Sequence, residues 1–326
     1  MNARRRRISG IAVTAATALG LGTLSACSSD SSAAGNTDKF DVVASFYPLQ
    51  YLAEQIGGDH VNVTTLTEPG QEPHDLELSA RQTAELGEAD AALHLTSLQP
   101  AVDKAIDQSD VKTKIDAAEL TKLEDHGNVE HDHGGEEHAE EEHAEEEHSE
   151  EGHALDPHVW LDPVKYGEIA EGVAKAFEKA DPDNAADYRK NADALAKKLD
   201  GLNTAYKDGL ANTDTKVFFT NHAAFGYLAE RYGLTQEAIS GIDPESEPSP
   251  ARIKELQTEA KADGVTTVFY ETLVSDKTAK TLAKDAGLKT DVLDPLEGIT
   301  DKSKGDDYVE VMESNLKALQ TALGAK

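Results

Sequence analysis

The sequence predicts an α/β protein made of two α/β lobes with parallel sheets, joined by a long spine helix. Apolar runs of strand length alternate with helical patterns in both halves of the chain, as parallel strands with helical crossovers require. A helical pattern that is too long for one lobe separates the two halves. About 270 residues outside the N-terminal segment and a polar central arm exceed the usual size of one hydrophobic core, so we expect two lobes.

The first lobe is expected over residues 40–123, and residues 154–181 complete it. Its predicted strands are Phe40–Phe46, Val61–Leu66, Ala91–Leu95 and Lys112–Asp116. Its predicted helices end near Ile56, Gly87, Ile106 and Ala180. The last of these helices begins at Asp162-Pro163, because Asp is a good N-cap and Pro fits the first turn.

The spine helix is predicted over residues 182–211, after the start signal Asp181-Pro182. Its apolar side chains recur every three or four residues and so form one stripe: Tyr188, Ala192, Leu195, Leu199, Leu202, Tyr206 and Leu210. Such a helix is about 45 Å long, which is enough to bridge two lobes. The alternative is a long helix that packs only on the first lobe.

The second lobe is expected over residues 212–326 and repeats the rhythm of the first. Its predicted strands are Lys216–Thr220, Leu234–Ser240, Thr266–Tyr270 and Leu288–Leu293. Its predicted helices are Ala223–Tyr232, Pro250–Ala262, Asp276–Ala286 and a closing helix from Tyr308. A cleft between two such lobes is a common position for a ligand site.

Residues 1–26 have the pattern of an export signal. A basic head, Arg4 to Arg7, precedes a short apolar body and then Leu24-Ser25-Ala26-Cys27. This tetrapeptide resembles the lipobox of bacterial lipoproteins, which implies that Cys27 is lipidated and that residues 27–39 are a flexible tether. We therefore expect an extracytoplasmic protein held at a membrane by acyl chains, while the choice between Sec and twin-arginine export stays open.

The central arm, Glu124 to His153, contains fourteen Asp or Glu and seven His but one aliphatic side chain and no Lys or Arg. With so little apolar surface it is predicted to be disordered and to collect divalent cations loosely. Its histidines are His126, His131, His133, His138, His143, His148 and His153. Whether the arm senses, concentrates or delivers metal is left open by the sequence.

The formal net charge of −31 excludes a nucleic-acid partner and favours cations. Outside the arm, His74 and His222 follow predicted strands, and Asp294 follows the last one, where ligands of parallel α/β sheets collect. With His158 they form a candidate set of three imidazoles and one carboxylate, suited to zinc. Spacing alone leaves the simpler alternative that these histidines are caps or exposed polar residues.

Four segments of the chain support a family resemblance. These segments are PGQEPHD at 69–75, DPHVWLDP at 156–163, NHAAFGY at 221–227 and LDPL at 293–296. From about Phe40 onwards the chain resembles the zinc and manganese solute-binding lipoproteins of metal ABC importers. The resemblance implies that His74, His158, His222 and Asp294 bind the metal, with Glu271 orienting a ligand, replacing Asp294 or capping a helix. Manganese-type members have Glu where this chain has His222, so zinc is expected and manganese is the alternative.

The resemblance implies a monomeric binding protein that captures Zn²⁺ outside the cytoplasm and delivers it to an ABC transporter permease. A zinc-dependent extracellular hydrolase is less favoured, because a catalytic zinc keeps one position open for water and four protein ligands fill it. A metal buffer or adhesin that works through the arm is a third interpretation. We expect the protein not to be an enzyme.

Overall fold

The computed structural model describes residues 39–126 and 155–326, which lie within one compact unit. In the first half, four strands form a parallel sheet in the order β2-β1-β3-β4. These strands are β1 (Phe40–Ala44), β2 (Val61–Thr65), β3 (Ala91–His94) and β4 (Thr113–Asp116). The helices of this half are α1 (Tyr47–Gly57), α2 (Ala80–Glu88), α3 (Pro100–Gln108) and α4 (Pro163–Ala180).

A single long helix, α5 (Ala185–Gly209), follows a short 3₁₀ turn at Pro182–Asn184. Asn191 Nδ2 of this helix donates at 3.0 Å to the carbonyl of Ile56, which belongs to α1 in the first half of the chain. Near its other end, the Tyr206 hydroxyl donates to the carbonyl of Met312 at 2.7 Å. The predicted spine helix is therefore confirmed, and it contacts both halves rather than the first alone.

The second half repeats the topology of the first, with strand order β6-β5-β7-β8 and parallel pairing throughout. Its strands are β5 (Val217–Thr220), β6 (Thr235–Ala238), β7 (Thr267–Tyr270) and β8 (Lys289–Val292). Its helices are α6 (Gly226–Tyr232), α7 (Pro250–Ala262), α8 (Lys277–Ala286) and α9 (Tyr308–Leu323). The predicted pair of parallel α/β lobes is confirmed.

Helix α6 begins three residues later than its sequence pattern predicts. Residue Ala223 donates its N–H to the carbonyl of Gly241 at 2.9 Å, and Phe225 donates its N–H to Gln236 Oε1 at 3.0 Å. These partners hold the segment between β5 and α6 as a loop. That loop carries His222 at the carboxyl end of β5.

The main hydrophobic core runs through both halves of the described chain, from Phe40 to Leu323. Two smaller clusters cover the other faces of the sheets, one around Leu86 and Ile106 and one around Leu256 and Leu282. Because the two lobes share their largest core, moving them apart would expose apolar surface, which is unfavourable in water. Among the described residues, no helix is both long and apolar enough to cross a membrane.

Candidate metal centre

Four loops bring one side chain each to a single buried place. His74 follows β2, His222 follows β5 and Glu297 follows β8, so three of these residues lie beyond the carboxyl ends of strands. His158 stands directly before a 3₁₀ turn, Val159–Leu161, that leads into α4. The two halves of the chain therefore contribute two side chains each.

The four ligand atoms lie at the corners of a small tetrahedron. Glu297 Oε1 is 3.2 Å from His158 Nε2, 3.3 Å from His222 Nε2 and 3.4 Å from His74 Nε2. The Nε2 atoms of His222 and His158 are 3.4 Å apart. All four ligand atoms lie within 4.8 Å of one another, so a single cation can contact the three imidazole nitrogens and the carboxylate oxygen together, as zinc does in its tetrahedral sites.

Two carboxylates contact the Nδ1 atoms of two of the histidines, on the side of each ring opposite to its ligand atom. Asp156 Oδ1 is 2.8 Å from His158 Nδ1, and Glu271 Oε1 is 2.8 Å from His222 Nδ1. An Nδ1–H that donates to a carboxylate leaves the lone pair of Nε2 free for a cation and raises the basicity of the ring. Of the three interpretations of Glu271, this geometry favours the one in which it orients His222.

The side chains of the group are buried, and their charges interact strongly. The side chains of His158 and Glu297 are fully buried, and that of His222 is 1% exposed. Burial raises the pKa of the Glu297 carboxyl, but the surrounding imidazoles outweigh burial and hold that pKa well below its ordinary value. Within the described chain, the buried Glu297 Oε2 and His74 Nε2 have no hydrogen-bond partner. A cation bound among these atoms would satisfy what the protein leaves unsatisfied.

Neighbouring carboxylates raise the pKa values of two histidines of the group, His158 and His222. Burial lowers the pKa of His222, but the Glu271 and Glu297 carboxylates outweigh burial and raise it well above its ordinary value. Burial likewise lowers the pKa of His158, and hydrogen bonds to Asp156 and Glu297 raise it overall. A divalent cation therefore enters this site by displacing protons.

The carboxylate that the structure groups with the three histidines is Glu297, whereas Asp294 is expected from the sequence. Asp294 is not among the grouped ligand atoms, and its carboxylate has other partners: Oδ1 accepts from the Leu296 N–H at 2.9 Å and Oδ2 from Thr272 Oγ1 at 3.3 Å. Burial raises the pKa of Asp294 to about 6. Its bond to Leu296, which has a φ of 62°, shapes the turn that presents Glu297. The dipeptide Asp294-Pro295 is typical of a turn, which favours Asp294 as a turn residue and leaves Glu297 as the next carboxylate available to the site.

The other described histidines do not belong to the group. His94 pairs with Asp103 at 3.1 Å, and His60 pairs with Asp187 at 3.0 Å, so both have partners outside the group. His126 of the arm is described, and it contacts Asp156. Cys27 and the six other histidines of the arm fall outside the described residues: His131, His133, His138, His143, His148 and His153.

A pair of α/β lobes with three imidazoles and one carboxylate enclosed between them defines a metal-site protein of the two-lobed binding class. The family model described as "zinc-uptake complex component A periplasmic" (ZnuA) matches residues 42–322. The chain belongs to this family.

Individual relatives agree with the family match. The chain is 36% identical over 327 residues to the high-affinity zinc uptake system protein ZnuA of Bacillus subtilis, covering 98% of this chain and 99% of that protein. It is 40% identical over 307 residues to the zinc-binding lipoprotein AdcA of Streptococcus pneumoniae, covering 91% of this chain but only 58% of the relative's length. The crystal structure of the Zn(II)-bound ZnuA-like domain of that AdcA superposes with a TM-score of 0.70 at 36% identity, covering 87% of this chain and 99% of the domain.

Proposed function

We propose that this protein captures Zn²⁺ outside the cytoplasm and delivers it to the membrane permease of an ABC importer. The observation that carries the proposal is the tetrahedron formed by Glu297 Oε1 and the Nε2 atoms of His74, His158 and His222. The names of the relatives, a zinc uptake protein and a zinc-binding lipoprotein, support the same function.

The ligand set favours zinc over manganese. Three imidazole nitrogens and one carboxylate oxygen suit a borderline cation in tetrahedral geometry, whereas manganese prefers sites rich in oxygen. The single carboxylate leaves the bound ion with a formal charge of +1. We therefore propose zinc as the cargo, with one ligand atom from each of the four side chains.

The same ligand count favours binding over turnover. A catalytic zinc normally keeps three protein ligands and one open position, where water is activated. Here four protein atoms supply a complete tetrahedral set, and three of the four side chains are 0% or 1% exposed. We therefore propose a transport protein without enzymatic activity, acting as a monomer and anchored to the outer face of the membrane through Cys27.

Zinc capture is tested with metal-free full-length protein, titrated in competition with a chelating indicator. We expect one tight equivalent in the wild-type protein and in the control His60→Ala, whose histidine is partly exposed and remote from the site. His222→Ala should lose most of this affinity, because it removes a ligand atom and leaves Glu271 and Glu297 buried without their shared imidazole.

Delivery is tested in cells that lack the native gene and are grown with limiting zinc. The wild-type protein and His60→Ala should restore growth, whereas His222→Ala should restore it only with added zinc. Equal zinc affinity of His222→Ala and His60→Ala would refute the assigned site. Equal rescue by both variants would refute its role in uptake.

A further inference from the structure

The geometry points to a second divalent-cation site at the start of the arm, formed by Glu124, His126 and Glu230. We call these three residues the root site. Their ligand atoms all lie within 4.8 Å of one another, and His126 Nε2 is 3.0 Å from Glu230 Oε2. The root site shares no ligand with the zinc site proposed above, and the argument for it does not depend on that function.

The imidazole of the root site is oriented in the same way as that of His158. His126 Nδ1 lies 3.1 Å from Asp156 Oδ2, and the other oxygen of the same carboxylate, Oδ1, lies 2.8 Å from His158 Nδ1. The Asp156 side chain is fully buried. A donating Nδ1–H presents the Nε2 lone pair of His126 toward Glu230, as metal-binding histidines do when a carboxylate supports them. One carboxylate thus supports a histidine of each site.

Residues at the start of α6 fix the position of His126. A Cβ atom on Gly226 would lie 2.4 Å from the His126 Cβ and 2.9 Å from Asp156 Oδ2, so the absence of a side chain at Gly226 makes room for both. The Tyr227 ring packs edge-on against the His126 ring, with centroids 4.4 Å apart. The Tyr227 hydroxyl accepts from the Glu124 N–H at 2.7 Å and donates to the Asp156 carbonyl at 2.8 Å. These contacts fix the backbone that carries two of the three ligands.

Charge and exposure determine how strongly the root site can bind. The side chains of His126, Glu124 and Glu230 are 15%, 28% and 59% exposed, so a cation can reach them from solvent. One nitrogen and two carboxylate oxygens suit a borderline cation such as zinc and leave a position for water. Lys165 Nζ lies 3.0 Å from Glu124 Oε1 and competes with a cation for that carboxylate. We therefore expect weaker binding here than at the enclosed site.

The test is a zinc titration of full-length protein labelled with ¹⁵N-histidine, in which the signal of His126 is assigned from a His126→Gln variant. After the first equivalent has filled the enclosed site, the Nε2 signal of His126 should move to a metal-bound value. In Glu230→Gln this change should need about tenfold more free zinc, a smaller effect than loss of a ligand at the enclosed site, because the Glu230 side chain is 59% exposed. Glu230 lies on α6, outside the arm, so the zinc-binding background of the arm is unchanged.

The matched control is Glu171→Gln on α4, which removes a carboxylate that is 70% exposed and pairs with Lys175. It should leave the zinc midpoint of His126 unchanged. A second variant, Gly226→Ala, removes no ligand but crowds His126, and it should raise the zinc midpoint of His126 as well. Retention of the first tight equivalent in Glu230→Gln and Glu171→Gln shows that the fold and the enclosed site are intact in these variants.

Two results would overturn the root site. One is a His126 signal that never becomes metal-bound at zinc concentrations that saturate the other histidines. The other is a zinc midpoint for His126 that is the same in Glu230→Gln as in the wild-type protein. Failure of the proposed transport function would be seen separately, as loss or absence of the first tight equivalent.

Discussion

Two nearly isosteric substitutions, Glu297→Gln and Asp294→Asn, identify the carboxylate that binds zinc. Glu297 Oε1 stands 3.2–3.4 Å from three imidazole nitrogens, so a neutral amide there removes the only negative charge in the ligand set. Residues that merely orient a ligand cost 10–100-fold in affinity when they are changed. Loss of a direct charged ligand should therefore cost about a hundredfold or more, or about 2.8 kcal/mol or more.

Asp294→Asn should leave zinc affinity within about tenfold of the wild-type value, at or below the lower end of the range seen for residues that orient a metal ligand. An Asn side chain keeps an oxygen that can accept from the Leu296 N–H, so the turn that presents Glu297 is preserved. The Asn also removes a carboxyl whose pKa is raised to about 6 by burial. Because this pKa is higher in the folded than in the unfolded protein, the folded state loses stability as the pH rises through about 6. At neutral pH the loss in free energy of unfolding is about 3 kcal/mol. The metal-free variant should therefore be at least as stable as the wild-type protein at pH 7.

The assay is competition titration of both metal-free variants at one pH and one salt concentration, with thermal unfolding of the metal-free proteins as the check on folding. The reasoning fails if Asp294→Asn loses a hundredfold in zinc affinity while Glu297→Gln stays within tenfold. In that case the ligand inferred from the family resemblance would be right and the geometry misleading.

Three further predictions concern the pH dependence of zinc affinity, the role of Glu271 and the relative movement of the lobes. Zinc affinity should rise with pH and continue to rise above about 6.5, because bound zinc displaces protons from His158 and His222, whose pKa values are raised; a flat profile between pH 6 and 8 would contradict this. Glu271→Gln should weaken zinc binding by about 10–100-fold, less than Glu297→Gln, because Glu271 orients His222 without being among the four grouped ligands; titration of both variants compares them directly. Small-angle scattering profiles of metal-free and zinc-bound protein should overlap, and a large compaction would refute a rigid spine.

Local sequence patterns predict most of the helices and strands of this fold. Strands and helices alternate visibly in both halves, and alternation implies parallel pairing because each helix carries the chain back to the same edge of the sheet. This places His74 and His222 each at the carboxyl edge of its own sheet. That the two edges face each other, with the rings 6.2 Å apart, is set by the packing of the lobes and not by the strand pattern. The stripe on the spine helix was equally clear, because its period of three to four residues admits no strand.

The fourth ligand depends on contacts that no local pattern contains. The main chain at Asp294 is held by Asn315 of α9, which accepts from the Asp294 N–H at 3.0 Å and donates to the Asp294 carbonyl at 2.7 Å. The carbonyl of Pro295 accepts from Trp160 Nε1 at 2.7 Å, across 135 residues of sequence. These distant partners decide that Glu297, three residues beyond Asp294, faces the histidines. Sequence spacing cannot encode a path that is set by side chains from elsewhere in the chain.

The same contacts constrain how zinc can leave. Trp160 joins the first half of the chain to Pro295 in the second, and the Tyr308 hydroxyl of α9 donates back to the Trp160 carbonyl at 2.6 Å. Separating the lobes would break these bonds and open the shared core, at a cost that a transport cycle would have to supply. One ligand is less enclosed than the others: the His74 side chain is 10% exposed, against 0% for His158 and 1% for His222. We therefore expect the loop after β2 to move when the proposed zinc is released, because this movement loses the least packing and keeps the lobes together.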